Sequence, residues 1–156
     1  MTRFILFSML LSLGLSTIQA QNTRSLKGVT LGSYIGTETI GFHTSVSSYP
    51  GSLVASTYKG KVHSILWAMD TDSYLPSPES LANFILDVGE FYNISLTGTL
   101  HKSDNKSTWT YETDELIISV IVDYTNISME DYHNYPVIML YLGDKKLIKL
   151  SQTQNF

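Results

Sequence analysis

The chain of 156 residues contains no cysteine, and that absence removes whole classes of chemistry. Disulfide scaffolds, thiolate zinc sites, iron–sulfur clusters and cysteine nucleophiles are all excluded. Proline is scarce at four residues and glycine stands at ten, so collagenous and proline-rich architectures are excluded as well. Charge is sparse at 15% of residues, while hydrophobic residues make up 43%, a balance that suits a packed core and not a disordered chain. Basic residues are outnumbered, with a formal charge of −4, which argues against nucleic acid or an anionic membrane surface as the main partner. Long apolar runs are missing everywhere except at the N-terminus.

That exception, Met1 to Ala20, has the three parts of an export signal. Arg3 supplies the positive end, Phe4 to Leu15 an apolar centre, and Ile18-Gln19-Ala20 a small-residue exit. The centre is shorter than the about 20 apolar residues that span a bilayer, so a cleaved signal peptide over residues 1–20 is expected rather than an anchor. Its removal takes Arg3 with it and leaves nine basic residues against fourteen acidic. The mature protein is expected to be periplasmic or secreted, with no transmembrane segment after cleavage. Export without cysteine suits a bacterial periplasm better than a eukaryotic secretory route, where disulfides are usual. Three sequons, at Asn93, Asn105 and Asn126, are glycan acceptors only if the host glycosylates.

Residues 21–27 are polar and are expected to be a flexible N-terminus, with a single domain over residues 28–150 and a polar tail over 151–156. Glycine-punctuated strands begin the domain. Val29, Leu31 and Tyr34-Ile35 alternate with Gly28, Gly32 and Gly36, and Thr37 to Val46 reads as strand or loop. Tyr49-Pro50-Gly51-Ser52 reads as a turn. Leu53–Tyr58 and Val62–Met69 flank Lys59-Gly60-Lys61 as a hairpin. A helix is expected over about residues 78–91. Ser77 caps it, Pro78 suits its first position, Glu79 meets the positive end of its dipole, and Leu81, Phe84, Ile85 and Val88 form one stripe. Afterwards the period is two. Strands are expected from Tyr92, around Trp109, over Leu116–Tyr124, over a central Val137–Leu142, and over Lys146–Leu150 after a turn at Gly143-Asp144-Lys145. The fold class is therefore α+β: a curved antiparallel sheet with one main helix packed on one face.

The order Lys27-Gly28-Val29-Thr30-Leu31-Gly32, then Tyr58-Lys59-Gly60-Lys61-Val62-His63-Ser64-Ile65, then the helix and its strand set, resembles small exported β-lactamase-inhibitor-like periplasmic domains. The resemblance spans roughly residues 27–150 and implies a binding-type domain of the cell envelope. It departs at Thr37–Val46, where such domains often carry a helix, and it transfers no inhibitory residue.

Catalytic signatures are few. The chain has no Gly-x-Ser-x-Gly, no phosphate-binding loop and no dinucleotide fingerprint. His43, His63, His101 and His133 show no ligand spacing, and Asp70-Thr71-Asp72 lacks the further ligands of a calcium loop, so no metal and no cofactor is expected. Aromatic residues are the more informative class. All ten tyrosines lie beyond residue 20, and Tyr124, Tyr132, His133 and Tyr135 cluster around the acidic stretch 126–134, with Trp109 a candidate for the same surface. Tyrosine offers contact area with a polar tip, which suits a binding loop. It equally suits a connection packed back on its sheet. Three functions are open at this level. The first is a non-catalytic envelope protein that binds another protein or an oligosaccharide. The second is a small hydrolase built from dispersed residues such as His63, Asp70 and His133. The third is a structural subunit pairing through a sheet edge.

Overall fold

A computed structural model of the chain describes residues 23–36, 39–70, 77–101, 105–124 and 136–153. The export signal expected over residues 1–20 lies outside them. The elements run β1 (Ser25–Leu26), β2 (Val29–Thr30), β3 (Thr39–Val46), β4 (Tyr49–Tyr58), β5 (Lys61–Met69), α1 (Pro78–Tyr92), β6 (Thr97–His101), β7 (Lys106–Glu112), β8 (Leu116–Asp123), β9 (Val137–Asp144) and α2 (Lys145–Thr153). β1 and β2 form a small hairpin. The other seven strands make one antiparallel sheet in the order β3-β4-β5-β9-β8-β7-β6. The fold is α+β, as the sequence indicates.

Two meanders build this sheet, β3 to β5 and β6 to β9, and they join where β5 pairs with β9. The Val137–Leu142 run that is apolar on both faces becomes β9, the middle strand of seven. Its even residues Ile138, Leu140 and Leu142 are buried with Leu116, Ile118, Val120 and Val122 of β8 and with Leu53, Ile65 and Trp67. α1 covers this side. Phe84 stacks on Trp67 with ring centroids 5.5 Å apart and meets Tyr49 edge-on at the same separation. The helix begins where the sequence places it: Ser77 Oγ accepts the Ser80 amide at 3.1 Å, and Pro78 occupies the first turn. It ends at Asn93, which takes the left-handed conformation and donates its amide to Glu90.

The Lys59-Gly60 turn is as expected, with positive φ at both residues. The turn expected at Tyr49–Ser52 is instead strand, and the chain reverses two residues earlier at Ser47-Ser48. Pro50 is tolerated in β4 because its absent N–H falls opposite Asp70, one residue beyond β5, whose own amide donates to the Pro50 carbonyl at 2.9 Å. Gly51 is a packing position and not a turn marker: a Cβ there would lie within 2.6 Å of the Trp67 ring.

The C-terminal strand expected at Lys146–Leu150 is a helix. β9 runs straight to Asp144 without a turn, and the Asp144 carboxylate accepts the Leu147 amide at 2.9 Å, a cap that starts α2 at once. Leu147, Ile148 and Ser151 then fall on one half-buried side, and the helix takes in Ser151 to Thr153 of the stretch read as a polar tail. The N-terminal stretch read as flexible contributes Leu26, only 1% exposed, to the core, and Arg24 forms an ion pair with Asp144.

Candidate functional site

Five residues carry the sequence-based candidate site, and the structure describes two. Trp109 lies on β7, paired with Gly98 and Val120, and points to the α1 side of the sheet. Its indole occupies the space a Gly98 side chain would need, with Nε1 2.5 Å from the ideal Cβ position. The ring is half-buried against the core. Tyr124 follows β8, donates its amide to the Asn105 carbonyl at 2.8 Å, and also packs against the core. Both aromatics therefore belong to the covered side, separated along the sheet by the Ser107–Val122 pair. Tyr132, His133 and Tyr135 lie outside the described residues.

The dispersed polar candidates do not converge either. His63 is the extra residue of a bulge, since Thr57 pairs with Val62 and Ser56 with Ser64. Asp70 stands at the other end of β5, roughly 20 Å away at about 3.3 Å per strand residue. His63 and Asp70 thus share no reacting atom, and His133 lies outside the described residues. Nor do the described residues contain a group of three histidines and carboxylates that could hold a metal. Asp72 is outside them, and Asp70 uses its amide on Pro50.

What the sheet does assemble is a surface on its opposite side. Strand alternation places Leu66 and Ala68 of β5, Met139 and Tyr141 of β9, and Ile117 and Ile121 of β8 there, all half-buried. α2 covers one end. Ile148 packs over Gly143, where a Cβ would meet its Cδ1 at 2.7 Å, beside the Tyr141 hydroxyl and Ile117. Burial holds the Tyr141 hydroxyl above its ordinary pKa, opposed by its hydrogen bond with Ser64. Beyond α2 the registers Leu66–Tyr141, Ala68–Met139 and Met139–Ile121 set apolar side chains of three strands next to Val54 of β4, which is 39% exposed. Polar groups flank this strip. On the β3 side Ser52 Oγ lies 3.0 Å from His43 Nδ1, and on the β7 side Lys106 pairs with Asp123 at 3.0 Å and Thr110 Oγ1 contacts the buried Ser119 Oγ at 3.0 Å. The strip offers contact area and a hydrogen-bonding rim.

A groove elsewhere has little signal in the sequence. It measures about 470 Å³ and runs between the C-terminal half of α1 and the segment leading to β6, lined by Ile85, Leu86, Gly89, Asn93, Ile94 and Leu96. Its one sequence signal is Leu86, off the core stripe of α1 and 63% exposed. Asn93 on its rim and Asn105 are both exposed, each with positive φ at a turn. Asn126, the third sequon, lies outside the described residues. No described helix is long and apolar enough to cross a membrane. Comparison of the chain with family models, with curated proteins and with solved structures finds no match to any of them.

Proposed function

We propose that this is an exported, non-catalytic protein of the cell envelope that binds another protein on the side of the sheet opposite α1. The observation that carries this reading is the apolar strip of Leu66, Ala68, Met139 and Ile121, half-buried at the centre of the sheet and beyond the end that α2 covers. An apolar centre with a serine and threonine rim is the composition of a protein contact surface. The exposed parallel aromatic faces on which sugar rings stack are not part of the strip, so a protein partner fits it better than an oligosaccharide. The export signal read over residues 1–20 and the resemblance of the sequence to β-lactamase-inhibitor-like periplasmic domains support the compartment and the binding role.

The test uses the mature chain as bait on its host's envelope fraction, in parallel with a Met139→Lys variant. Met139 lies at the middle of the strip, and a lysine there can lift its charge into solvent, so the melting temperature should change by only a few degrees. Species retained by the wild type and lost at least tenfold by the variant support the reading. Identical retention by the two proteins overturns it, and retention that free oligosaccharide competes away replaces the protein partner with a glycan.

A further inference from the structure

We propose that the edge of β3, with which no described strand pairs on its outer side, is a self-association surface, on which two copies of this chain pair antiparallel, β3 to β3, about a two-fold axis passing Phe42. This inference is independent of the binding surface proposed above, which lies on the face of the sheet and not at its edge.

β3 is a terminal strand of the sheet and is eight residues long, against five for β6 at the other side. Natural edges are protected by proline, by lysine or other charges, or by a covering element. Thr39-Ile40-Gly41-Phe42-His43-Thr44-Ser45-Val46 contains no proline, lysine, arginine, aspartate or glutamate. Six of its residues other than glycine carry neutral side chains that cannot repel a second copy of themselves, and His43 is the only titratable one.

The hydrogen-bond parity of the edge follows from one bond. Because Asp70 donates to the Pro50 carbonyl, the even residues of β4 turn their main-chain groups toward β5 and the odd ones toward β3. Through the register Phe42–Leu53 and Thr44–Gly51, the even residues of β3 are then bonded to β4. Thr39, Gly41, His43 and Ser45 are left with N–H and C=O groups directed outward. A second copy pairs with these only where outward residue meets outward residue. Among two-fold registers, centring on Phe42 engages all four: Thr39 opposite Ser45 of the second copy, and Gly41 opposite its His43, each pair occurring twice by symmetry.

Two residues fit that register and have no reason within a single copy. The first is Gly41. Its φ is not positive, and an added Cβ would make only ordinary contacts, with Leu53 O at 3.6 Å and Val54 Cγ2 at 3.7 Å, so the protomer does not require glycine there. A glycine inside a strand weakens it and often marks close approach of another group. In the paired edge it lies opposite the His43 ring of the second copy and gives it room. The second is Phe42, on the α1 side next to the fully buried Leu53 and yet 40% exposed. At the axis it meets its own copy as a non-hydrogen-bonded pair, the site where side chains approach most closely, at a Cα separation of about 4.5 Å. An extended peptide from another protein would take up the same main-chain bonds, but it would leave this self-matched pattern unexplained. The contact is one pair of strands, so the dimer should be reversible and concentration-dependent.

The absence of cysteine makes the test direct. In a Phe42→Cys variant of the mature chain the two thiols would face each other at a spacing a disulfide spans. Mild oxidation should convert most of the protein to a covalent dimer, while Gly41→Cys and Ser45→Cys, each offset from its own copy, should cross-link at least tenfold more slowly. Sedimentation of the wild type should show a monomer–dimer equilibrium. Phe42→Glu should weaken it at least tenfold by opposing two carboxylates, and mixing Phe42→Glu with Phe42→Lys should restore association. Equal cross-linking at all three positions, or a wild type that stays monomeric up to millimolar concentration, overturns the proposal. So does a dimer indifferent to Phe42→Glu in protein whose melting shows it is folded.

Discussion

The Tyr92 hydroxyl donates a 2.9 Å hydrogen bond to the Ser25 carbonyl, tying the last residue of α1 to the first strand of the domain across 67 positions. The ring is almost wholly buried, at 2% exposure, and desolvation pushes the phenol well above its ordinary range. Tyr92→Phe keeps the packing and removes only the bond, so urea denaturation should show a loss of about 1 kcal/mol. The pH dependence has a definite sign. A phenol whose folded pKa is raised stabilises the fold fully below its unfolded value, about 10, and loses that contribution as pH climbs from there toward the folded value. Wild-type stability should therefore fall above pH 10, and Tyr92→Phe should flatten part of that fall. An unchanged alkaline limb in the variant would leave Tyr92 without this role.

Gly51 and Trp67 form a second dependency, this time steric. The indole lies where a Gly51 side chain would be, and Trp67 Nε1 donates to the Thr44 carbonyl at 3.1 Å, which fixes the ring over β4. Gly51→Ala should cost about 1–3 kcal/mol through overpacking. Trp67→Phe on the same background frees space, so the double variant should be less destabilised than the sum of the two single changes. Thermal melting of the four proteins measures the coupling, and strict additivity would show that the clash is relieved some other way.

These residues also show what was readable before the fold. Helix α1 was legible from Ser77, Pro78 and a stripe at helical spacing because cap, dipole and core all act within one segment. The hairpin at Lys59-Gly60 was legible for the same reason. Pro50 and Gly51 misled because turn chemistry and close packing call for the same residues, and only a tryptophan sixteen positions away decides which applies. α2 was misread because Lys146–Leu150 is too short to separate the two periods, and its cap, Asp144, is the last residue of a strand. At the candidate site the aromatic count identified Trp109 and Tyr124 but not their side. Facing direction depends on strand register, and register is set by partners distant in sequence.

Asp144 serves two neighbours at once. One carboxylate oxygen caps α2 at Leu147 while the other pairs with Arg24, with the carboxylate side chain only 10% exposed. Asp144→Asn retains a capping oxygen and loses the charge, whereas Asp144→Ala loses both and removes the nearer of the two carboxylates beside Arg24, the other being Glu115 at 3.8 Å. The alanine variant should be the less stable of the two by about 1 kcal/mol, the usual worth of a cap. It should also show a smaller helical signal in circular dichroism. Equal stability of the two variants would assign the whole effect to the ion pair.

His63 sits in the bulge of β5 with Nδ1 buried and without a hydrogen-bond partner. Desolvation lowers its pKa below the ordinary 6.5, because a charged imidazole there loses water and gains no acceptor at that nitrogen. A depressed folded pKa means that the unfolded chain takes up its proton first. The contribution of His63 is therefore present above about pH 6.5 and is lost as pH falls through that value toward the folded pKa. His63→Gln cannot charge in this range, so its melting temperature should change less than the wild type's between pH 7.5 and pH 5. A His63→Gln protein that follows the wild-type curve down to pH 5 would show that the bulge opens to water when the ring protonates.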